Sequence, residues 1–97
     1  MNKNVKKPRH MAVYEAIVTV ETVEECVKLF DDLLSISELR AMEQRYQVAQ
    51  MLEDGQVYSS ILEKTGASSA TISRVNRTLQ NTGDGYRLAF ARTKEQK

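Results

Sequence analysis

Residues 65–79 read TGASSATISRVNRTL, a stretch with no acidic side chain and with five small hydroxyl residues after Gly66. Apolar residues recur at helical spacing on both sides of this glycine, at Tyr58, Ile61, Leu62, Ile72, Val75 and Leu79. Gly66 can supply the positive φ of a tight turn, and Ser68 can cap the helix that follows. The pattern predicts a helix-turn-helix, with Ile72, Val75 and Leu79 on the buried side of its second helix.

The second helix of such a motif enters the DNA major groove by its N-terminal end. Side chains there must be small enough for close approach and polar enough to bond base edges. We expect the Ala70 methyl to meet a thymine methyl, the Ser69 and Ser73 hydroxyls to bond bases, and Arg77 to reach guanine or phosphate. The candidate DNA-binding residues are Lys64, Ser68, Ser69, Ala70, Thr71, Ser73, Arg74 and Arg77.

A second interpretation is an ordinary helical hairpin whose serines and threonines only cap and solvate. A further alternative keeps the helix-turn-helix fold but changes the function to an interaction adaptor, which uses the helix-turn-helix surface to bind another component of the transcription machinery. Residues 64–83 hold three bases and no acid, which favours DNA. The adaptor predicts little salt-dependent duplex binding, whereas the logarithm of a DNA regulator's affinity falls with the logarithm of the salt concentration.

The formal net charge of +1 is unevenly distributed along the chain. Residues 1–20 hold four bases and one acid, residues 21–54 hold three bases and nine acids, and residues 55–97 hold seven bases and three acids. The three segments therefore carry charges of +3, −6 and +4. A polyanion would meet the ends of the chain, and the acids of the middle are expected to form a solvated face.

The remaining pattern predicts an all-α fold of about six helices. Residues 1–10 are expected to be a flexible basic arm, residues 11–94 a single helical domain and residues 95–97 a polar tail. A chain of 97 residues buries little apolar surface alone, so we expect it to form a homodimer.

Local signals predict where the other helices begin and which residues they bury. Thr22 and Glu25 form a capping box, Ser35 or Ser37 can cap the next helix, and Gly55 can end it. A first helix is expected from Met11 to Val18 and a last one from Gly85. The expected buried faces are Val23, Cys26, Val27, Phe30, Leu33 and Leu34; then Leu39, Met42, Tyr46, Ala49 and Leu52; and finally Tyr86, Ala89 and Phe90.

Several classes of protein are excluded by what the chain lacks. His10 is the only histidine and Cys26 the only cysteine, so the sequence offers no zinc-ligand set, no internal disulfide and no nucleophile with its base. We therefore expect no enzyme and no metal, and the packed thiol fits a reducing cytoplasm. No apolar run is long enough for a membrane span.

Three groups of residues resemble the tryptophan-repressor superfamily, and most closely its small TrpR-related members of the YerC/YecD type. They are FDDL at 30–33, EQR at 43–45 with the VAQML that follows at 48–52, and above all TGAS at 65–68 continuing to SRV at 73–75. The resemblance covers about residues 11–92 for that subfamily. It implies an intertwined homodimer that binds palindromic operator DNA as a transcriptional regulator, as a repressor in the family's best-known member. The paired recognition helices would lie about 34 Å apart, one DNA turn.

The resemblance also bears on the effector. In the tryptophan repressor two arginines flank the corepressor indole, and they match Arg45 and Arg74. The residue after the second arginine is a glycine in that repressor, whereas Val75 stands here, and the segment between Gly55 and Gly66 is one residue shorter. A β-branched side chain would fill the space beside the indole. We therefore expect no tryptophan corepressor and no other cofactor, and the resemblance names no other effector.

Overall fold

The computed structural model describes residues 8–95, which form six helices and no strand. This confirms the predicted all-α fold. Residues 1–7 of the predicted basic arm and residues 96–97 of the predicted tail lie outside the described residues. The helices are α1 (Ala12–Val18), α2 (Val23–Leu33), α3 (Ile36–Glu53), α4 (Tyr58–Thr65), α5 (Ser69–Asn81) and α6 (Asp84–Glu95).

The chain divides into two compact units, and the boundary falls inside α3 between Leu39 and Arg40. The first unit contains α1, α2 and the start of α3. The second contains the rest of α3 together with α4, α5 and α6. All the residues predicted to contact DNA belong to the second unit.

Side-chain caps fix the start of α2. The hydroxyl of Thr22 accepts a hydrogen bond from the N–H of Glu25 at 3.1 Å, as the capping box predicts. The Glu25 carboxylate accepts from the N–H of Glu21 at 2.9 Å and not from that of Thr22. The capping-box pattern therefore predicts the start of the helix correctly. The second hydrogen bond of the box comes from Glu21, the residue before the N-cap.

The apolar faces of the first unit are largely exposed. None of the described residues of α1 and α2 is buried, and Val23 is 81% exposed although it belongs to the stripe predicted to be buried. Cys26, Phe30 and Leu34 of that stripe are half-buried. The exposed large apolar side chains of this unit are Met11, Tyr14, Val18, Val23, Val27, Leu33 and Ile36.

A full capping box begins α3, and Ser35 is the cap. Its hydroxyl accepts from the N–H of Glu38 at 3.2 Å, while the Glu38 carboxylate accepts from the N–H of Ser35 at 2.8 Å. The backbone N–H of Ser35, and next its hydroxyl, lower the pKa of the Glu38 carboxyl because both stabilise its charged form. The helix ends at Glu53, and Gly55 follows with φ +83°, as predicted.

The core of the second unit joins α3, α4 and α5. Its buried members are Val48, Ala49, Met51, Ile61, Ala67, Ile72, Val75 and Leu79. Only Ala49 of the face predicted on α3 is fully buried; Leu39, Met42, Tyr46 and Leu52 are half-buried. The predicted face was wrong in omitting Val48 and Met51, because apolar residues lie on more than one side of α3 and spacing alone does not say which side meets α4 and α5.

Aromatic rings connect α6 to α3. The ring centroid of Tyr46 lies 6.1 Å from that of Tyr86 and 5.4 Å from that of Phe90, which in turn lie 5.9 Å apart. Both α6 rings pack against the core cluster, as predicted, and remain half-buried. Such tilted and stacked pairs contribute about 0.5–1.5 kcal/mol each beyond their burial.

Candidate nucleic-acid interface

The two short helices α4 and α5 meet across a glycine turn. Gly66 ends α4 with φ +72°, and its N–H donates to the Leu62 carbonyl. Ala67 follows with 1% of its surface exposed, and Ser68 then caps α5 by accepting from the N–H of Thr71 at 3.1 Å. These features confirm the predicted boundaries, turn glycine and cap of the helix-turn-helix.

Hydrogen bonds of Thr65 fix the path of the turn. Its hydroxyl donates to the carbonyl of Ile61 at 2.7 Å and accepts from the N–H of Ala67 at 3.1 Å. The carbonyl of Thr65 accepts from the side-chain amide of Gln44 on α3 at 3.1 Å. Hydrogen bonds of Thr65 therefore connect α4, the turn and α3.

One face of α5 is apolar and anchored in the core. Ile72, Val75 and Leu79 are exposed by only 0%, 3% and 4% of their surfaces. They recur at intervals of three and four residues, so they line one side of the helix. The prediction that these three residues hold α5 from behind is confirmed.

The other face of α5 reaches solvent with the predicted small and basic side chains. Ser68, Ser69, Ala70, Arg74 and Arg77 are exposed, whereas Thr71 and Ser73 are half-buried. The Ser68 hydroxyl is less available for DNA contact than its exposure suggests. It accepts from the N–H of Thr71 and lies 3.1 Å from the Thr71 hydroxyl. Its role is therefore first of all to begin the helix.

Exposed basic side chains occur on both helices of the motif. Lys64, in the last turn of α4, is exposed, and its Nζ donates to the Gln56 side chain at 3.4 Å. Along the chain no acid occurs between Lys64 and Gly83. The free N–H groups at the start of α5 add a partial positive charge, which favours an anion such as a DNA phosphate.

The residues matched to the corepressor arginines lie on different helices, Arg45 on α3 and Arg74 on α5, and both are exposed. Val75 is buried in the core cluster of the second unit. Its isopropyl group therefore occupies protein interior next to Arg74 in the chain, where a glycine would leave space.

Two side chains that hold the motif were not predicted from the sequence. Gln44 reaches the carbonyl of Thr65, and Arg87 of α6 reaches the carbonyls at the end of α5. The contact of Gln44 spans 21 positions of the chain and those of Arg87 span 5 and 8, and helical spacing carries no signal for such contacts between helices. Among residues 8–95, no group of three or more His, Cys, Asp and Glu side chains could hold a metal ion, and no helix is long and apolar enough to cross a membrane.

The sequence profile of the Trp repressor protein family matches residues 9–94, almost the whole of the described chain. The chain belongs to the Trp repressor family. Proteins of this family are DNA-binding regulators of transcription. The matched range covers all six helices and so includes both units of the fold.

Individual relatives support the same assignment. The uncharacterised protein YerC of Bacillus subtilis (strain 168) is 45% identical over 83 residues, which are 86% of this chain and 80% of that protein. The crystal structure of a TrpR-like protein from Eubacterium eligens has a TM-score of 0.86 at 40% identity and covers 96% of each chain. A candidate Trp repressor from Staphylococcus aureus has a TM-score of 0.81 at 44% identity, over 84% of this chain and 82% of its own.

Proposed function

We propose that this protein is a sequence-specific transcriptional regulator, a repressor, which binds palindromic operator DNA as a homodimer through α4 and α5. The observation that carries the proposal is the division of α5 into two faces. Ile72, Val75 and Leu79 are buried, while small and basic side chains occupy the exposed face from its first turn onward. A helix so arranged can approach base edges closely while its orientation is fixed from behind.

The candidate contacts divide into two kinds. Ser69, Ala70 and Ser73 are short and can reach base edges only if the N-terminal end of α5 lies inside the groove. Lys64 and Arg74 are long and charged, so they suit phosphate oxygens on the rim of the groove. Arg77, two helical turns into α5, can reach either a guanine or a phosphate.

The effector is a separate part of the proposal. Because Val75 fills interior space beside Arg74, we propose that tryptophan does not act as corepressor and that no other cofactor is needed for DNA binding. Arg45 and Arg74 remain available for DNA phosphates or for an effector of another shape.

Selection of bound fragments from a genomic duplex library tests the proposal. Purified protein should enrich a palindromic motif whose half-sites are about one DNA turn apart, with or without added amino acids. Enrichment of no motif at low salt would contradict the proposal and favour the protein-interaction adaptor.

The selected duplex then permits a test of the contact residues. Arg77→Ala should weaken binding to that site by about 1–3 kcal/mol, because α5 loses a base or phosphate contact. Arg40→Ala is the matched control, since Arg40 is exposed and lies in the acidic part of the chain. Equal losses in the two variants, measured by fluorescence anisotropy, would exclude the assigned role of Arg77.

A further inference from the structure

Arg87 of α6 closes the C-terminal end of α5. Its Nη1 donates to the carbonyl of Thr82 at 2.7 Å, and its Nη2 donates to the carbonyl of Leu79. The last carbonyls of a helix have no partner within the helix and carry a partial negative charge. A guanidinium satisfies two of them at once and holds the end of α5 against the start of α6.

The turn between α5 and α6 leaves room for this contact. Gly83 is buried and has φ +69°. A Cβ placed there would lie 2.8 Å from Nη1 of Arg87 and 3.1 Å from the Cα of Leu79. The guanidinium therefore lies directly over the backbone of the turn, which is possible because residue 83 has no side chain.

Gln44 makes a similar contact with the turn that precedes α5. Its Nε2 donates to the carbonyl of Thr65 at 3.1 Å. The hydroxyl of Thr65 accepts from the N–H of Ala67, just before α5 begins. One long side chain from α3 thus holds the turn, and one from α6 holds the far end of α5. Both make hydrogen bonds to backbone carbonyls, so their effect is on the position of the backbone.

We propose that Gln44 and Arg87 are positioning residues for sequence recognition: Gln44 fixes the turn that leads into α5, Arg87 fixes the C-terminal end of α5, and neither touches DNA itself. This inference rests on the proposed function. Base readout requires the reading side chains to be held within about 0.5 Å of their productive positions. Binding to non-specific DNA depends on charge and tolerates a displaced helix.

Two substitutions remove the contacts with little change in size or charge. Gln44→Met removes the amide donor, and Arg87→Lys keeps the positive charge but replaces the rigid fork, whose two nitrogens reach two carbonyls, by a single ammonium on a flexible stem. The matched controls are Gln47→Met and Arg92→Lys, since both residues are exposed on the same two helices. Affinity for the selected duplex and for a scrambled duplex is measured for each variant over a range of salt concentrations.

We expect the ratio of specific to non-specific affinity to fall about 2- to 10-fold in Gln44→Met and in Arg87→Lys, the range of one typical hydrogen bond. The slope of log affinity against log salt should stay as in the unchanged protein, because no phosphate contact is lost. Amide hydrogen exchange of the free protein should speed up locally, at Ala67 in the first variant and at Thr82 in the second, while Val48 stays protected. A purely structural role would lower stability as a whole without changing the affinity ratio.

Each outcome has one interpretation. Unchanged affinity ratios in both variants would overturn this inference and leave the proposed function intact. A less steep salt slope in Arg87→Gln, which removes the charge, would also overturn it, since Arg87 would then contact phosphate. Failure of the unchanged protein to bind any duplex would overturn the proposed function, and this inference with it.

Discussion

At the scale of single residues, Val75 is the residue on which the proposed lack of a tryptophan effector depends. The side chain is 3% exposed and belongs to the same core cluster as Ile72 and Leu79. A core at native packing density leaves no space that an indole ring could enter without displacing such a side chain. This packing supports the proposal that tryptophan is not the effector of this protein.

We expect L-tryptophan to leave the unfolding temperature unchanged. A ligand that binds only the folded protein at 100 times its dissociation constant stabilises it by about 2.7 kcal/mol, which a thermal scan detects as a shift of several degrees. Glycine, added at the same concentration, is the control for non-specific solute effects. A reproducible rise with tryptophan alone would mean that the pocket persists beside Val75.

At the scale of elements, the start of α5 depends on a single side chain. The Ser68 hydroxyl satisfies the N–H of Thr71, one of the four amides that the first turn of a helix leaves unpaired. The same turn carries Ser69 and Ala70 toward the proposed DNA surface. Fraying of this turn would move the reading side chains as well as lower stability.

Ser68→Ala should therefore lower the free energy of unfolding by about 1 kcal/mol. Ser69→Ala, one residue on, provides the comparison, because the Ser69 side chain is exposed and does not cap the helix. Urea unfolding followed by circular dichroism measures both. If Ser69→Ala costs as much as Ser68→Ala, the cap is not what stabilises the start of α5.

The elements differ in how well their sequence predicts them. The starts of α2, α3 and α5 were predicted because a Ser or Thr cap acts on an amide only three residues away, at Thr22, Ser35 and Ser68. The turns at Gly55 and Gly66 were predicted for a similar reason, because a positive φ depends on the type of a single residue and glycine adopts it readily.

Long-range contacts were not predictable in this way. Val48 and Met51 are buried because α3 shares a core with α4 and α5, and the sequence of α3 alone does not show which side those helices take. Gln44 and Arg87 belong to the same class: their partners are backbone carbonyls, which every residue has, so no side-chain pattern identifies them. The exposed face of α5 was predictable because it is the complement of a regular buried stripe.

At the scale of the whole molecule, the chain shows both a separation of charge and a surplus of exposed apolar groups. The acidic stretch of residues 21–54 includes all of α2 and α3, whereas the proposed reading surface lies in the basic stretch from residue 55 onward. Val18 and Val23 are exposed by 82% and 81%. Single exposed apolar residues are common. Helices α1 and α2, however, expose several apolar side chains and bury none, which is typical of a surface that binds another protein surface.

The proposed homodimer makes stability depend on protein concentration. We expect the unfolding temperature to rise with concentration, because association favours the folded chain by mass action. Sedimentation velocity should show a dimer that Val27→Asp converts to monomer, while Lys28→Asp, on the exposed neighbouring position of α2, leaves it dimeric. A wild-type protein that sediments as a monomer at all concentrations, with a constant unfolding temperature, would rule out this part of the account.

The central claim is that the exposed face of α5 meets the phosphates and bases of duplex DNA, and the dependence of duplex affinity on salt concentration tests it most directly. We predict that log affinity falls linearly with log salt, with a slope of about −0.9 for each phosphate contact. The slope should become less steep by about two in Lys64→Ala and in Arg74→Ala, because each substitution removes one such contact from each protomer of the proposed dimer. Duplex binding that is absent at low salt, or a slope that neither substitution changes, would contradict the account.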